Sequence, residues 1–360
     1  MATTRRTFLG LTGAAAAAAA GITPAFARDS ATLYIGTYTS AGGTGIGLAS
    51  YDATSGAITA TGVLTGVQEP SFLIADPSAR FLYAVNEQTD GGVTAVAVDA
   101  PGKLRVLNRQ STGGSAPCHL ALVADGKYLV SANYGSGDVA VHPVNADGSL
   151  AARTDLVKHV GAAPHAHQVV EDPTGQYILS VDLGTDTVYT YTIAAPGKLT
   201  ETAQAKLETG AGPRHLAFHP NGRYAYVANE LDSTVVPCEY ADGRLTPGTP
   251  LPTAPANSPQ NYPGEVIVSA DGNFVYVSNR GHNSIAVFAI SADGATLTRT
   301  ATPSTGGDWP RHCAIDPTGT LLLVSNQRSN SITTFHRNQQ TGTLTPAGSF
   351  TTPSPVCTLV

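Results

Sequence analysis

GPRHLAFHPNGRYAYVANELDSTV, residues 212–235, is the stretch that decides the fold. Arg214 to His219 alternates in polarity and runs into Pro220-Asn221-Gly222, turn chemistry that predicts a two-residue hairpin connection. Tyr224 to Asn229 is rich in β-formers, and Ser233 to Tyr240 reads as a third strand. Ala241-Asp242-Gly243 supplies another turn before a short fourth strand. Four antiparallel strands in one unit make a propeller blade.

The same grammar recurs at 309–332 (WPRHCAIDPTGTLLLVSNQRSNSI), 262–285 (YPGEVIVSADGNFVYVSNRGHNSI) and 163–188 (APHAHQVVEDPTGQYILSVDLGTDTV), and more loosely at 116–139 and 69–93. Thr37, Asn86, Asn133, Asp182, Asn229, Asn279 and Asn326 take one equivalent position, with spacings of 49, 47, 49, 47, 50 and 47 residues. A period in the high forties predicts an all-β, seven-bladed β-propeller with four antiparallel strands per blade. A β-helix repeat is much shorter, and a WD40 array fits poorly with the single tryptophan, Trp309. The first copy, at 32–46, lacks its opening strand, while the chain ends in PSPVCTLV, residues 353–360. That segment is expected to join the N-terminal blade and close the ring, removing two sheet edges.

Residues 1–27 stand apart. Arg5-Arg6 precedes Phe-Leu, an Ala-rich stretch follows as far as Ile22, and Ala25-Phe26-Ala27 offers a small-x-small cleavage site. The pattern reads as a cleaved twin-arginine export signal, with a membrane anchor as the alternative. Residues 28–360 then form one propeller domain outside the cytoplasm. Removing the segment takes away two of the 20 basic residues and none of the 26 acidic ones, leaving 18 − 26 = −8, which invites neither nucleic acid nor an anionic membrane. Cys118, Cys238, Cys313 and Cys357 show no metal spacing, and folding before export favours free buried thiols.

Hairpin arithmetic sets Arg214 opposite Asn229, with Glu230 one step beyond, so each blade delivers two residues to one end of the ring. The positions before the inner strands hold Ser71, Cys118, His167, Arg214, Gly264 and Arg311. Those after the second strands hold Tyr38, Glu87, Tyr134, Leu183, Glu230, Arg280 and Gln327. The convergence of Arg214, Arg280, Arg311, Glu87, Glu230 and His167 in a sparsely charged chain points to an anionic substrate and an acid/base pair. A structural salt bridge between Arg214 and Glu230 is the competing reading. His165 and His167, two apart, present a weak metal pair. His215 and His312 are expected to point away from the channel if their strands are regular. The repeated Asn, and Asp76, Asp172 and Asp316, read as turn residues.

GPRHLAFHPNGRYAYVANEL, HAHQVVEDPTG with VDLGTD, and VYVSNRGHNSIAVF resemble the seven-bladed propeller lactonase family, which includes bacterial 6-phosphogluconolactonase and fungal 3-carboxy-cis,cis-muconate lactonizing enzyme. The resemblance implies catalysis by His167 (or His165), Arg214, Glu230 and Arg280. Glu87, Tyr134, His165, Arg311 and Gln327, read from their positions in the sequence, are the substrate-binding candidates. Thr187 departs from the basic residue often found after LGTD, and export departs from a cytoplasmic substrate. The leading expectation is hydrolysis of an anionic sugar-acid lactone by a monomer needing no metal or cofactor. The alternatives are a carboxymuconate-type cycloisomerase, an exported binding scaffold, and a calcium-dependent lactonase drawing on Glu87, Glu230 and the asparagines.

Overall fold

The computed structural model describes residues 31–360; the expected export segment lies outside the described residues. The described chain folds into seven antiparallel sheets. Blade 5, the reference unit, consists of Pro213–Phe218, Tyr224–Asn229, Thr234–Ala241 and Arg244–Pro247, with the short strand Leu251–Pro252 added beside the third. Six further sheets have four strands each: in chain order, blade 1 (31–64 with 355–359), blade 2 (73–111), blade 3 (117–158), blade 4 (166–206), blade 6 (262–301) and blade 7 (310–351). Seven hydrophobic clusters hold the ring, each shared by two neighbouring blades; Leu179, Val181 and Val188 of blade 4, for example, pack on Leu216, Val227 and Val236 of blade 5. Apolar side chains thus face both neighbours of each sheet, which explains strands that read as near-continuous apolar runs. The four cysteines are free and buried within this packing.

Closure follows the sequence expectation. Pro355–Leu359 pairs antiparallel with Ala31–Thr37, with Tyr34 opposite Leu359 and Ile35 opposite Thr358. Val356 and Cys357 are buried. Burial of a Val-sized side chain contributes about 1.5–3 kcal/mol, and the strand also satisfies one edge of blade 1. Deleting residues 353–360 is therefore expected to abolish the cooperative thermal transition, read by circular dichroism. A melting temperature within a few degrees of the parent would contradict closure by this strand.

Two local predictions need correction. The first hairpin of blade 5 closes with His219 N–H donating to the Tyr224 carbonyl, so the connection is four residues, Pro220 to Arg223, with Gly222 at φ 70°. Its centre is unchanged, and Phe218 opposes Ala225 as the arithmetic requires. The register slips further out: Pro213, not Arg214, stands opposite Asn229, and Arg214 is the extra residue of a β-bulge. Such bulges interrupt five inner strands, between Pro117 and His119, Ala166 and Gln168, Pro213 and His215, Pro263 and Val266, and Pro310 and His312. The residues inside them are Cys118, His167, Arg214, Gly264 with Glu265, and Arg311. A bulge bends a strand and re-aims side chains, and here one repeated defect faces one end of the ring.

Candidate active site

Six of the nine sequence candidates line a cavity of about 180 Å³ at that end: Glu87, Tyr134, His167, Glu230, Arg280 and Arg311 are joined there by Cys118, so the wall draws on blades 2 to 7. Arg214 stands behind the wall, and neither His165 nor Gln327 is part of it.

Glu230 is the hub. Its Oε2 lies 2.7 Å from Arg280 Nη2 and 3.3 Å from Arg214 Nε. Arg280 also donates from Nε to the Tyr262 carbonyl and from Nη2 to the Pro263 carbonyl, and Arg214 donates from Nη1 to the Gly264 carbonyl. Burial works against ionising Glu230, but Arg280 and Arg214 hold its carboxyl below the ordinary value. Burial, with Arg280 and Arg311 nearby, pulls Arg214 down to about 9, which leaves it charged at neutral pH. The structural salt bridge weighed from sequence exists, and it reaches across blades 5 and 6 as well as within blade 5.

A second ion pair faces it. Arg311 Nη2 lies 3.7 Å from Glu87 Oε2, which also accepts from the Tyr38 hydroxyl at 2.8 Å and from the Ser71 hydroxyl. Burial opposes the charge on Arg311, yet Tyr38 and Glu87 raise its pKa overall. Two guanidiniums, Arg280 and Arg311, meet two carboxylates, Glu230 and Glu87, in the cavity, and behind it Arg214 lies beside Glu265, so the fixed charges balance.

His167 stands between these groups, buried, its Nδ1 without a partner. Burial, then Arg214 and His215, depress its pKa well below the usual histidine value, so the ring is neutral near pH 7. Its ring is 5.6 Å from that of Tyr134, and Cys118 Sγ–H donates to its carbonyl at 3.2 Å. His165 is held aside: it stacks on Tyr134 at 4.5 Å, and its Nδ1 meets the Tyr134 carbonyl at 2.8 Å. Of the two histidines, the geometry leaves His167 to the cavity. Gln327 carries a buried Oε1 with no partner, away from the lining.

The repeated polar residues behave as turn residues. Asp172 Oδ1 accepts from the Gln176 and Tyr177 N–H groups, and Asn279 donates to the Thr253 carbonyl. Asp182, the acidic member of the asparagine series, binds His159 Nδ1 at 2.6 Å and accepts from the His165 N–H at 3.0 Å, anchoring the segment that carries His167. Where Thr187 lacks a basic side chain, the facing strand provides one: Lys206 Nζ donates to Thr187 Oγ1 at 2.6 Å.

His215 and His312 do not point away from the channel. With Phe72, His119 and Glu265 they fill the axis beneath the site: Phe72 lies 4.0 Å from His119, 6.3 Å from His215 and 5.8 Å from His312, although these rings come from blades 2, 3, 5 and 7. Glu265 Oε1 meets His215 Nδ1 at 2.9 Å and its Oε2 lies 3.6 Å from His312 Nε2. Each follows a bulge residue, so the regular-strand assumption fails there. His119, His167, His215 and His312 are all depressed first by burial. A histidine neutral when folded binds protons only when unfolded once pH falls below about 6.5, so stability drops as pH falls, by up to about 1.4 kcal/mol per pH unit for each ring. The urea midpoint is therefore expected to fall steeply between pH 7 and pH 5.5; a constant midpoint would show that these rings are charged when folded.

Among the described residues, no group of three or more His, Cys, Asp and Glu side chains is placed to hold a metal ion. The chemistry on offer is a neutral base beside fixed positive charge.

Fold and site are those of a seven-bladed propeller with a small pocket of fixed guanidinium and carboxylate groups at one end. The chain belongs to the family described as Lactonase, 7-bladed beta-propeller, whose model matches residues 32–360, and this is a family of lactone hydrolases. It is 37% identical over 288 residues to 6-phosphogluconolactonase of Bacillus subtilis (strain 168), covering 76% of this chain and 82% of that protein. It is 36% identical over 234 residues to 6-phosphogluconolactonase of Pectobacterium atrosepticum, covering 64% and 69%. Among solved structures it is similar to periplasmic gluconolactonase of Pseudomonas aeruginosa, with a TM-score of 0.87, 33% identity, and coverage of 92% and 98%.

Proposed function

We propose that this chain is an exported hydrolase of sugar-acid lactones, with His167 as general base and Arg280 as the electrophile. The observation that carries the reading is a neutral, buried histidine in one small cavity with a guanidinium whose Nε and Nη2 are fixed by carbonyls and Glu230. His167 takes a proton from water as its oxygen attacks the lactone carbonyl, and Arg280 stabilises the oxyanion. The tetrahedral centre then collapses, the ring C–O bond breaks, and the imidazolium returns the proton to the departing alkoxide. The product is an open hydroxy acid, which ionises and releases one proton. Glu230 holds Arg280 in place, and Arg214 balances its charge.

Relatives described as 6-phosphogluconolactonase favour hydrolysis over cyclisation. Export rests on Arg5-Arg6 and the cleavage pattern, and a neighbour described as a periplasmic gluconolactonase supports a substrate outside the cytoplasm. The test is proton release from 6-phosphogluconolactone and glucono-δ-lactone by the mature protein, with and without chelator. Acceleration of either above the spontaneous rate, unchanged by chelator, is expected. Ligand binding without turnover would favour the scaffold reading, and loss of activity with chelator the calcium-dependent one.

A further inference from the structure

Beside the catalytic cavity, on the same face, a furrow of about 840 Å³ runs between blades 1 and 2. Glu87 lines both spaces, so the two are neighbours that share one side chain. The smaller cavity has room for little beyond one compact ring, whereas the furrow falls in the usual range for small-molecule sites.

The furrow wall has a definite chemistry. With Glu87 paired to Arg311, Glu69 and Asp90 face one guanidinium, Arg109, which is already engaged with Asn86 Oδ1 at 3.3 Å and the Asp90 carbonyl at 2.8 Å. Glu69 is buried; its Oε1 accepts from Thr39 Oγ1–H and the Ser40 N–H, and its Oε2 has no partner. This net negative wall repels phosphate and carboxylate and accepts hydroxyl donors. Gln88 Nε2 donates to Gln68 Oε1 at 3.0 Å, which leaves the Gln68 amide donors and the Gln88 carbonyl for a ligand. Val106, 40% exposed, adds an apolar surface suited to the C–H face of a sugar ring.

We propose that this furrow is a subsite for a neutral, polyhydroxylated substituent on the lactone, namely a second sugar unit, so that the substrate class extends to glycosylated aldonolactones. The proposal rests on the hydrolase reading above and deepens it. The lactone ring occupies the catalytic cavity, and the glycosyl unit passes Glu87 to hydrogen-bond with Gln68 and Gln88. Binding energy from this remote part lowers KM and leaves the chemical step unchanged.

The test measures kcat and KM for glucono-δ-lactone, its 4-O-glucosyl derivatives (α- and β-linked) and 6-phosphogluconolactone, with the parent, Gln68→Ala and Gln88→Ala. A hydrogen bond is worth about 0.5–1.5 kcal/mol, or about 2- to 12-fold in affinity. At least one glucosyl lactone is expected to show a KM about fivefold or more below that of glucono-δ-lactone. Each glutamine variant should raise that KM by about 2- to 12-fold while leaving both unglycosylated lactones unchanged. A glucosyl KM equal to or above that of glucono-δ-lactone, or glutamine effects equal on all substrates, would overturn the subsite alone. Absence of turnover for every lactone overturns the hydrolase reading and this proposal with it.

Discussion

Glu230→Gln is expected to lower the folding stability by about 3–5 kcal/mol and to abolish most lactone hydrolysis, because breaking a buried ion pair leaves its partners uncompensated. Here two partners are left. Arg214 and Arg280 are both buried and would face each other with only backbone carbonyls and one neutral amide oxygen to accept their protons. A glutamine keeps the size and one acceptor but not the charge, and the change therefore isolates electrostatics from packing. Urea denaturation reads the stability, and a double-mutant cycle with Arg280→Gln reads the coupling, expected to exceed about 1 kcal/mol for groups in direct contact. Additive effects would show that the close approach of Glu230 and Arg280 carries no energy.

The second large effect is on rate. His167→Ala is expected to reduce kcat by about 100- to 10,000-fold, the usual cost of losing a positioned base. His167 Nδ1 makes no hydrogen bond, so the stability loss should be small beside that of Glu230→Gln. The pH dependence adds a separate check. The base must be neutral to act, and burial with Arg214 and His215 keeps it neutral below the ordinary histidine range. The acid limb of the parent's kcat profile should therefore fall well below pH 6.5, and that limb should vanish in the variant. Rates within about threefold of the parent would remove His167 from the mechanism.

The repeat and its ring closure could be read from residues because each blade spells out its strands and turns, and because an opening strand missing at 32–46 reappears at 353–360. The meeting of His167, Glu230, Arg280, Arg311 and Glu87 was legible for the same reason: equivalent positions in a ring arrive at one end. The bulges were not legible. A period-2 pattern carries no mark of one extra residue, and the hairpin count remains right as far as His215 opposite Ala228 before it fails at Arg214. That slip, and its counterpart at Arg311, account for His215 and His312 filling the axis with Glu265, where a regular strand turns them outward. Cys118 stood at the correct repeat position, yet nothing in its local sequence marked it as a wall of the cavity. His165 and Gln327 show the opposite error: position in the repeat brings a residue to the rim, yet His165 stacks on Tyr134 and Gln327, its Oε1 buried, is absent from the lining.

The most direct test of the central claim is a proton-release assay of the mature protein and its His167→Ala variant on glucono-δ-lactone and 6-phosphogluconolactone, run in the presence of chelator. Proton release well above the spontaneous rate for at least one lactone, reduced about 100-fold or more in the variant, is the predicted result. A parent no faster than spontaneous opening, or a variant as fast as the parent, would contradict it.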